Sequence, residues 1–428
     1  MMAWFWRIFF FLYATTFTSP LFAASEHQTF LPSEHVMLGD QIKLYFSSNH
    51  TGQTDYFFHL PNGLTVTYGE IISLGDFYEI VDQPIVYGKS DTERKARFLA
   101  AFDSLARTPA SVSEANQILA IIRNEKKMIE TALKNGEKPE DVYKKIGSDQ
   151  NRQYNCITGG GCSPSTWWTK PGRYLNLAAN NYDHFGENAW LAFKIGHDAA
   201  LEQAMLAYQT HDLKKLEMAY AMNAFASHFL SDRFSAGHIR TPREELATHV
   251  TPSEIGSALS GYMHNEENSN SIHVHNLRGD RWIAYGDGYY FNERNSTHRI
   301  MINEALQTSV DRIFYAYQFG VEQKTTDIST IIPIPDEINN ESRLDISPLF
   351  YWDNATEQLM RREDTANLYD RHWTASWWGW STLALLSQQK GIPVLAQAQI
   401  ALSGHGKEAM RYGLITDKHI AAYIQSHS

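Results

Sequence analysis

The sequence predicts a mainly α, multi-helix bundle with small β-hairpin insertions. Three observations predict it. Residues 91–107 and 111–135 carry apolar side chains three and four apart with charged faces between, the period of an amphipathic helix. Residues 186–209 and 212–232 are Ala-rich and joined by a short turn at Thr210–Asp212, a link that makes them antiparallel neighbours. Stretches with β character are brief and interrupted by turn residues.

The first element is a hairpin over 54–68, TDYFFHLPNGLTVTY, with Pro-Asn-Gly as its turn. The 111–135 helix has Ser113 near its start and Gly136 just past its end, both cap signals. After the 186–209 and 212–232 pair, 253–268 reads as a further helix. Residues 271–292 break the trend with two Gly-Asp pairs and alternating aromatics, a hairpin or ordered loop. Helix returns over 296–320, and 325–352 reads as an irregular linker. The last 75 or so residues look helical and hold a dense aromatic patch, WTASWWGW. The organisation expected is a signal peptide over 1–24, a main domain over 25–325 and a mostly helical extension over 326–428.

Composition narrows the function. Hydrophobic residues make up 43%, enough for a sizeable core. The net charge of -11 argues against a nucleic-acid partner, which needs a basic face. The chain begins with one Arg, an apolar run from Ile8 to about Phe17 and small residues at Ala23 and Ala24, the pattern of a signal peptide. A secreted protein, extracellular or periplasmic in transit, is therefore expected. Such a protein meets oxidising conditions, so Cys156 and Cys162, closing a short Gly-rich loop, read as a disulfide. Two thiolates alone leave a zinc tetrahedron half empty.

The chemistry concentrates in residues 228–243, HFLSDRFSAGHIRTPR. On a helix, His228 and Asp232 lie one turn apart on one face. Gly237 can end that helix and bring His238 back towards them. Imidazole nitrogen and carboxylate oxygen are zinc ligands. The bland alternative is a solvated helix end with a His–Asp hydrogen bond. Arg240 and Arg243 follow, and guanidinium forks suit phosphate oxygens. Their alternative is a pair of surface arginines bonded to helix-end carbonyls.

The H-x3-D-x5-H spacing resembles the core motif of the zinc-dependent phospholipase C and single-strand nuclease superfamily. The longer string resembles its Gram-negative branch of exported zinc metallophospholipases C. Three further segments are similar to that superfamily: Asn181-Tyr-Asp-His184-Phe185, Gly75-Asp76-Phe-Tyr78, and Tyr262-Met-His264-Asn-Glu-Glu267-Asn268. The resemblance implies a helical enzyme with three zinc ions. Its ligands would be His35, Asp76, His184, His228, Asp232, His238, His264 and Glu267. It makes Asp232 a bridging ligand and lets Asp76 serve as ligand and base, so both are catalytic candidates. The family's late pair is His-x3-Glu, but Asn268 stands at that spacing here. Glu267 is preferred because a neutral amide is a poor zinc ligand, and Glu266 is expected in solvent. His27 ranks below His35 as the first histidine, and the amine of the mature chain is a further candidate.

Asp183 and His197 are candidate partners behind the ligands. His273 and His275 share a strand face and could bind a metal, while Trp282 and Tyr285 could line a head-group pocket. His211, His249, His298 and His372 read as surface or packed residues. WTASWWGW reads as core packing or a membrane contact. The leading expectation is an exported, monomeric zinc phospholipase C acting on phospholipids at membrane surfaces, without nucleic acid as a partner. A zinc single-strand nuclease and a non-catalytic metal- or membrane-binding protein are the alternatives.

Overall fold

The computed structural model describes residues 31–47, 51–323, 327–337 and 345–427. The expected signal peptide and His27 lie outside the described residues. Sixteen α-helices run through the described residues, with eight short strands in small sheets, so the chain is mainly α.

The chain enters through α1 (Pro32–Gly39), every residue of which is buried. A two-residue ladder, β1 (Phe58–His59) against β2 (Thr65–Val66), forms the expected hairpin, with Gly63 at φ +92° in its turn. Next comes α2 (Tyr68–Tyr78), started by a capping box of Thr67 and Glu70. A Cβ added at Gly39 of α1 would sit 2.4 Å from the Gly69 Cα of α2, so the two helices cross glycine to glycine.

The amphipathic helices follow as α3 (Asp91–Ala106) and α4 (Ser111–Lys134). Ser113 is not the cap of α4; the helix begins two residues earlier, and the Ser111 hydroxyl bonds the Leu105 and Thr108 carbonyls. Gly136 follows α4 in the left-handed region at φ +71°. α5 (Pro139–Ile157) and α6 (Arg173–Ala179) had no counterpart in the sequence reading. Cys156 at the end of α5 and Cys162 form the expected disulfide.

The centre of the molecule is the antiparallel pair α7 (Gly186–Thr210) and α8 (Leu213–Asp232), on which α2, α3 and α12 (Ser296–Phe319) pack. Between α8 and α12 come α9 (Ala236–Ile239), α10 (Arg243–His249) and α11 (Ser253–Asn270). A hairpin then pairs β3 (Ile272–His275) with β4 (Arg281–Ala284), and β5 (Ile334–Pro335) adds to β3.

The C-terminal segment opens with a three-stranded sheet where the sequence reading placed linker and helix. Its strands are β6 (Phe350–Asp353), β7 (Gln358–Arg362) and β8 (Trp373–Thr374). Their burial lacks clean two-residue alternation, which removes the usual strand signal. Helices α13 (Gly379–Lys390), α14 (Val394–Ile400), α15 (Gly406–Arg411) and α16 (Lys418–Ser426) complete the chain.

The apolar residues form two cores. One joins α1 to α4, α7, α8 and α12. The other joins α10 and α11 to Trp167, Trp168 and the C-terminal helices. Their buried apolar side chains supply the main stabilising term.

Candidate metal centre

The helices that meet at the centre bring ligand-type side chains into one buried place. α8 contributes His228 and Asp232, one turn apart. α2 contributes Asp76, and its C-cap Glu79 follows three residues later. α1 contributes His35, and a short 3-10 turn over Tyr182–His184 contributes His184. A Cβ on Gly75 would lie 2.3 Å from the His228 ring, so only glycine lets α2 approach α8 closely enough to seat Asp76 beside His228.

Asp232 is the hub. One carboxylate oxygen lies 2.7 Å from His184 Nδ1 and 3.4 Å from His228 Nε2; the other lies 3.5 Å from His35 Nε2. His228 Nε2 also faces Asp76 at 3.5 Å, and His184 Nε2 faces Glu79 at 2.6 Å. Ligand atoms gather in three groups that could each hold a metal ion: His35, Asp76 and His228; Glu79, His184 and His228; and His238, His264 and Asp287. His238 comes from α9, His264 from α11, and Asp287 from the loop after β4.

Hydrogen bonds behind the ligands orient the rings. His238 Nδ1 donates to the His184 carbonyl at 2.7 Å, which aims Nε2 into the third group. Phe185 stacks on that ring at 4.4 Å. The Ser231 hydroxyl lies 3.0 Å from His35 Nδ1. Asn268 Nδ2 donates to Asp287 at 2.8 Å, and its Oδ1 accepts the Gly237 N–H at 2.6 Å.

The electrostatics fit cations. Burial pushes the Asp76 carboxyl well up, and the neighbouring Asp232 charge adds to the shift. Burial would also raise Asp232, but the surrounding histidines, His228 foremost, hold it below the ordinary carboxylate range. Burial lowers His35 to about 4 and lowers His228 and His238, keeping these rings neutral as metal ligands must be. His184 is the exception: burial opposes its charge, yet Glu79 and Asp232 raise its pKa. Asp76 Oδ2, Asp232 Oδ1 and His238 Nε2 are buried without a hydrogen-bond partner. Buried polar atoms are ordinarily satisfied. Divalent cations among these nitrogen and oxygen atoms would satisfy them, so the residues present fit a metal.

Seven of the eight anticipated metal ligands lie here. Six are among the three groups, and Asp232 bonds across the first two. The eighth, Glu267, is a correction. Its carboxylate turns away to Arg240, 2.6 Å from Nε, and Asp287 stands in the third group. The i+3 position on α11 faces Arg240, whereas the i+4 residue, Asn268, faces His264 and braces Asp287. Glu266 is likewise not in solvent; it is buried and paired with Arg362 and Lys390.

The arginines are largely buried and held by protein acceptors, not lying on the surface. Arg240 is committed to Glu267 and the Ile346 carbonyl. Arg243 is buried, bonded to Asn181, Ser257 and the Ala179 carbonyl, with its guanidinium over the Tyr182 ring. Protein acceptors thus take up most of both forks, leaving Arg240 Nη1 without a hydrogen bond. Asp183 accepts the Ile85 and Val86 N–H groups, and His197 bonds Asn223; neither bond reaches a ligand ring. His275 pairs with Asp336, and Trp282 is buried with its indole N–H on His298. Within WTASWWGW, Trp380 is buried while Trp378 is 50% exposed.

Glu79 and Asp287 were absent from the sequence expectation. Glu79 had a local signal, a second acid one turn beyond Asp76. For Asp287 the signal was indirect: an amide at the late position leaves a carboxylate to come from elsewhere, and the 271–292 segment offered two Gly-Asp pairs, Gly279-Asp280 and Gly286-Asp287, without choosing between them.

Asp76 and His184 border a cleft walled by Tyr154, Tyr174, Leu177 and Leu395, the last from α14. The cleft thus meets the first group at Asp76 and the second at His184. Among the described residues, no helix is long and apolar enough to cross a membrane. No family model, no curated protein and no solved structure matches the chain.

Proposed function

We propose that the protein is a zinc-dependent phosphodiesterase, a phospholipase C that hydrolyses the glycerol–phosphate bond of phospholipids. The observation that carries this reading is the gathering of three buried His/carboxylate groups, two of them sharing His228 and bridged by Asp232, with Asp76 and His184 bordering a cleft. Structural zinc sites are closed and usually Cys-rich, whereas this set is built from imidazoles and carboxylates and borders a cleft at Asp76 and His184.

The residues divide the work as follows. His35, Asp76 and His228 would hold one ion, Glu79, His184 and His228 a neighbouring one, and His238, His264 and Asp287 a third. Bound zinc polarises a phosphoryl oxygen and acidifies water. Asp76, whose proton affinity burial raises, is the carboxylate suited to take the proton of the attacking water. The water oxygen bonds to phosphorus, the bond from phosphorus to the glycerol oxygen breaks, and that oxygen takes up a proton. The products are diacylglycerol and a phosphorylated head group. Tyr154, Tyr174 and Leu177 supply apolar walls for the rest of the substrate.

The test is to purify the protein and its Asp232→Asn variant, strip and restore zinc, and assay both on mixed phospholipid vesicles and on single-stranded DNA. Zinc-dependent release of diacylglycerol by the wild type, lost in the variant, is the expected result. Cleavage of DNA without lipid would move the protein to a nuclease. Activity on neither substrate would overturn the enzyme reading in favour of a binding role.

A further inference from the structure

A second groove lies between the end of α10, the β6–β7 hairpin and the start of α13, and shares no lining residue with the metal groups. Trp352 of β6 and His249 face each other with ring centroids 4.7 Å apart. Trp377 is anchored by its indole N–H on the Leu359 carbonyl at 2.9 Å. Trp378 is half exposed, with its ring edge towards Tyr412 at 6.0 Å. Glu357, held at φ +52° in the hairpin turn, lines the groove. No Lys or Arg lines the groove.

We propose that this groove binds a quaternary ammonium group, with the three indole rings as its walls and Glu357 as its counter-charge. The ring face of an indole carries negative potential and attracts a cation placed over it. A quaternary ammonium has no N–H to satisfy, so walls of ring faces suit it better than they suit a primary amine. The Glu357 carboxylate adds attraction, and the one basic residue of the lining is the His249 imidazole, which stacks on Trp352, with no Lys or Arg to reject a cation. The indole N–H of Trp377 is already spent on backbone, so that side chain offers its ring rather than a hydrogen bond. The site goes beyond the proposed hydrolysis and does not depend on it.

The full chain would be titrated with choline chloride by calorimetry, with sodium chloride at equal ionic strength as the control. Saturable binding is expected, weakened by about tenfold in Trp378→Ala and several-fold in Glu357→Gln. Both variants should keep the wild-type circular dichroism and zinc content. Asp232→Asn should bind choline as the wild type does, which separates this groove from the metal cleft. Absence of saturable binding would overturn the proposal. So would binding that the two groove variants leave unchanged. A second arm distinguishes the source of the group. Retention on phosphatidylcholine over phosphatidylglycerol vesicles, lost in Trp378→Ala, assigns a lipid head group. Choline binding without vesicle retention assigns a free small molecule, and either result supports the site.

Discussion

Asp232 is the carboxylate on which His35, His184 and His228 converge, so its loss removes more than one ligand contact. The third group offers a finer test, because its acid is Asp287 and not Glu267. Asp287→Asn should reduce bound metal by about a third, one group of the three, while leaving the first two loaded. Glu267→Gln should keep all the metal but weaken folding by about 3 kcal/mol, since it strands Arg240 in a buried pair. Metal analysis of the two variants side by side decides between them; equal metal loss in both would restore Glu267 as a ligand. Glu125 of α4 gives a pH signature away from the metals. Burial pushes this carboxyl to about 7 while the Ser33 hydroxyl and the Gln150 amide donate to it. Between its ordinary value and about 7 the folded protein holds a proton that the unfolded chain has released. The stability it allows is full at low pH and falls as pH rises through 7, by about 3 kcal/mol in all. Glu125→Gln should remove that fall. Melting curves of both proteins at pH 5 and pH 8 provide the measurement, and parallel curves would refute it.

At the scale of helices, the site depends on how closely α2 can lie against α8 and α1. Gly75→Ala drives a methyl into the His228 ring, 2.3 Å away before any movement. Overpacking of this kind costs about 1–3 kcal/mol. Here it also displaces a ligand, so zinc affinity should drop about tenfold or more. Zinc titration against a competing chelator would read this, and unchanged affinity would show that α2 can shift without disturbing the centre. This crossing also explains what the sequence disclosed. The His228–Asp232 pair and the α7–α8 hairpin were readable because helical period alone puts those residues on one face. The 54–68 and 271–292 hairpins were readable from turn chemistry. By contrast, α5 went unread although its apolar face, marked by Tyr143 and Tyr154, recurs with helical period, because its composition is polar overall. Asp287 was hidden for another reason: a loop residue joins His238 and His264 only through tertiary packing, which no local spacing encodes.

At the scale of the whole molecule, α11 is the member common to the metal centre and the C-terminal core. It presents His264 to the third group and packs Ile255, Leu259 and Met263 into the apolar cluster shared with α13, α14 and α16. Its Glu266 fastens the two parts together. Arg362 of β7 is fully buried and reaches both Glu266 oxygens, at 2.8 and 3.2 Å, while also donating to the Ser347 and Thr365 carbonyls. Lys390 of α13 pairs with the same carboxylate. Breaking a buried pair by removing one partner costs more than the pair contributes, because the other charge is left without compensation. Arg362→Ala should therefore destabilise the protein by about 3–5 kcal/mol. Arg362→Met, which keeps the volume, still leaves Glu266 to Lys390 alone and should recover only the packing part of that loss. Glu266→Gln combined with Arg362→Met removes both charges and should be milder than Arg362→Ala alone. Urea unfolding of the three variants measures the series. If Arg362→Ala unfolds within about 0.5 kcal/mol of the wild type, the C-terminal segment is not held through α11. The metal centre would then stand independently of it.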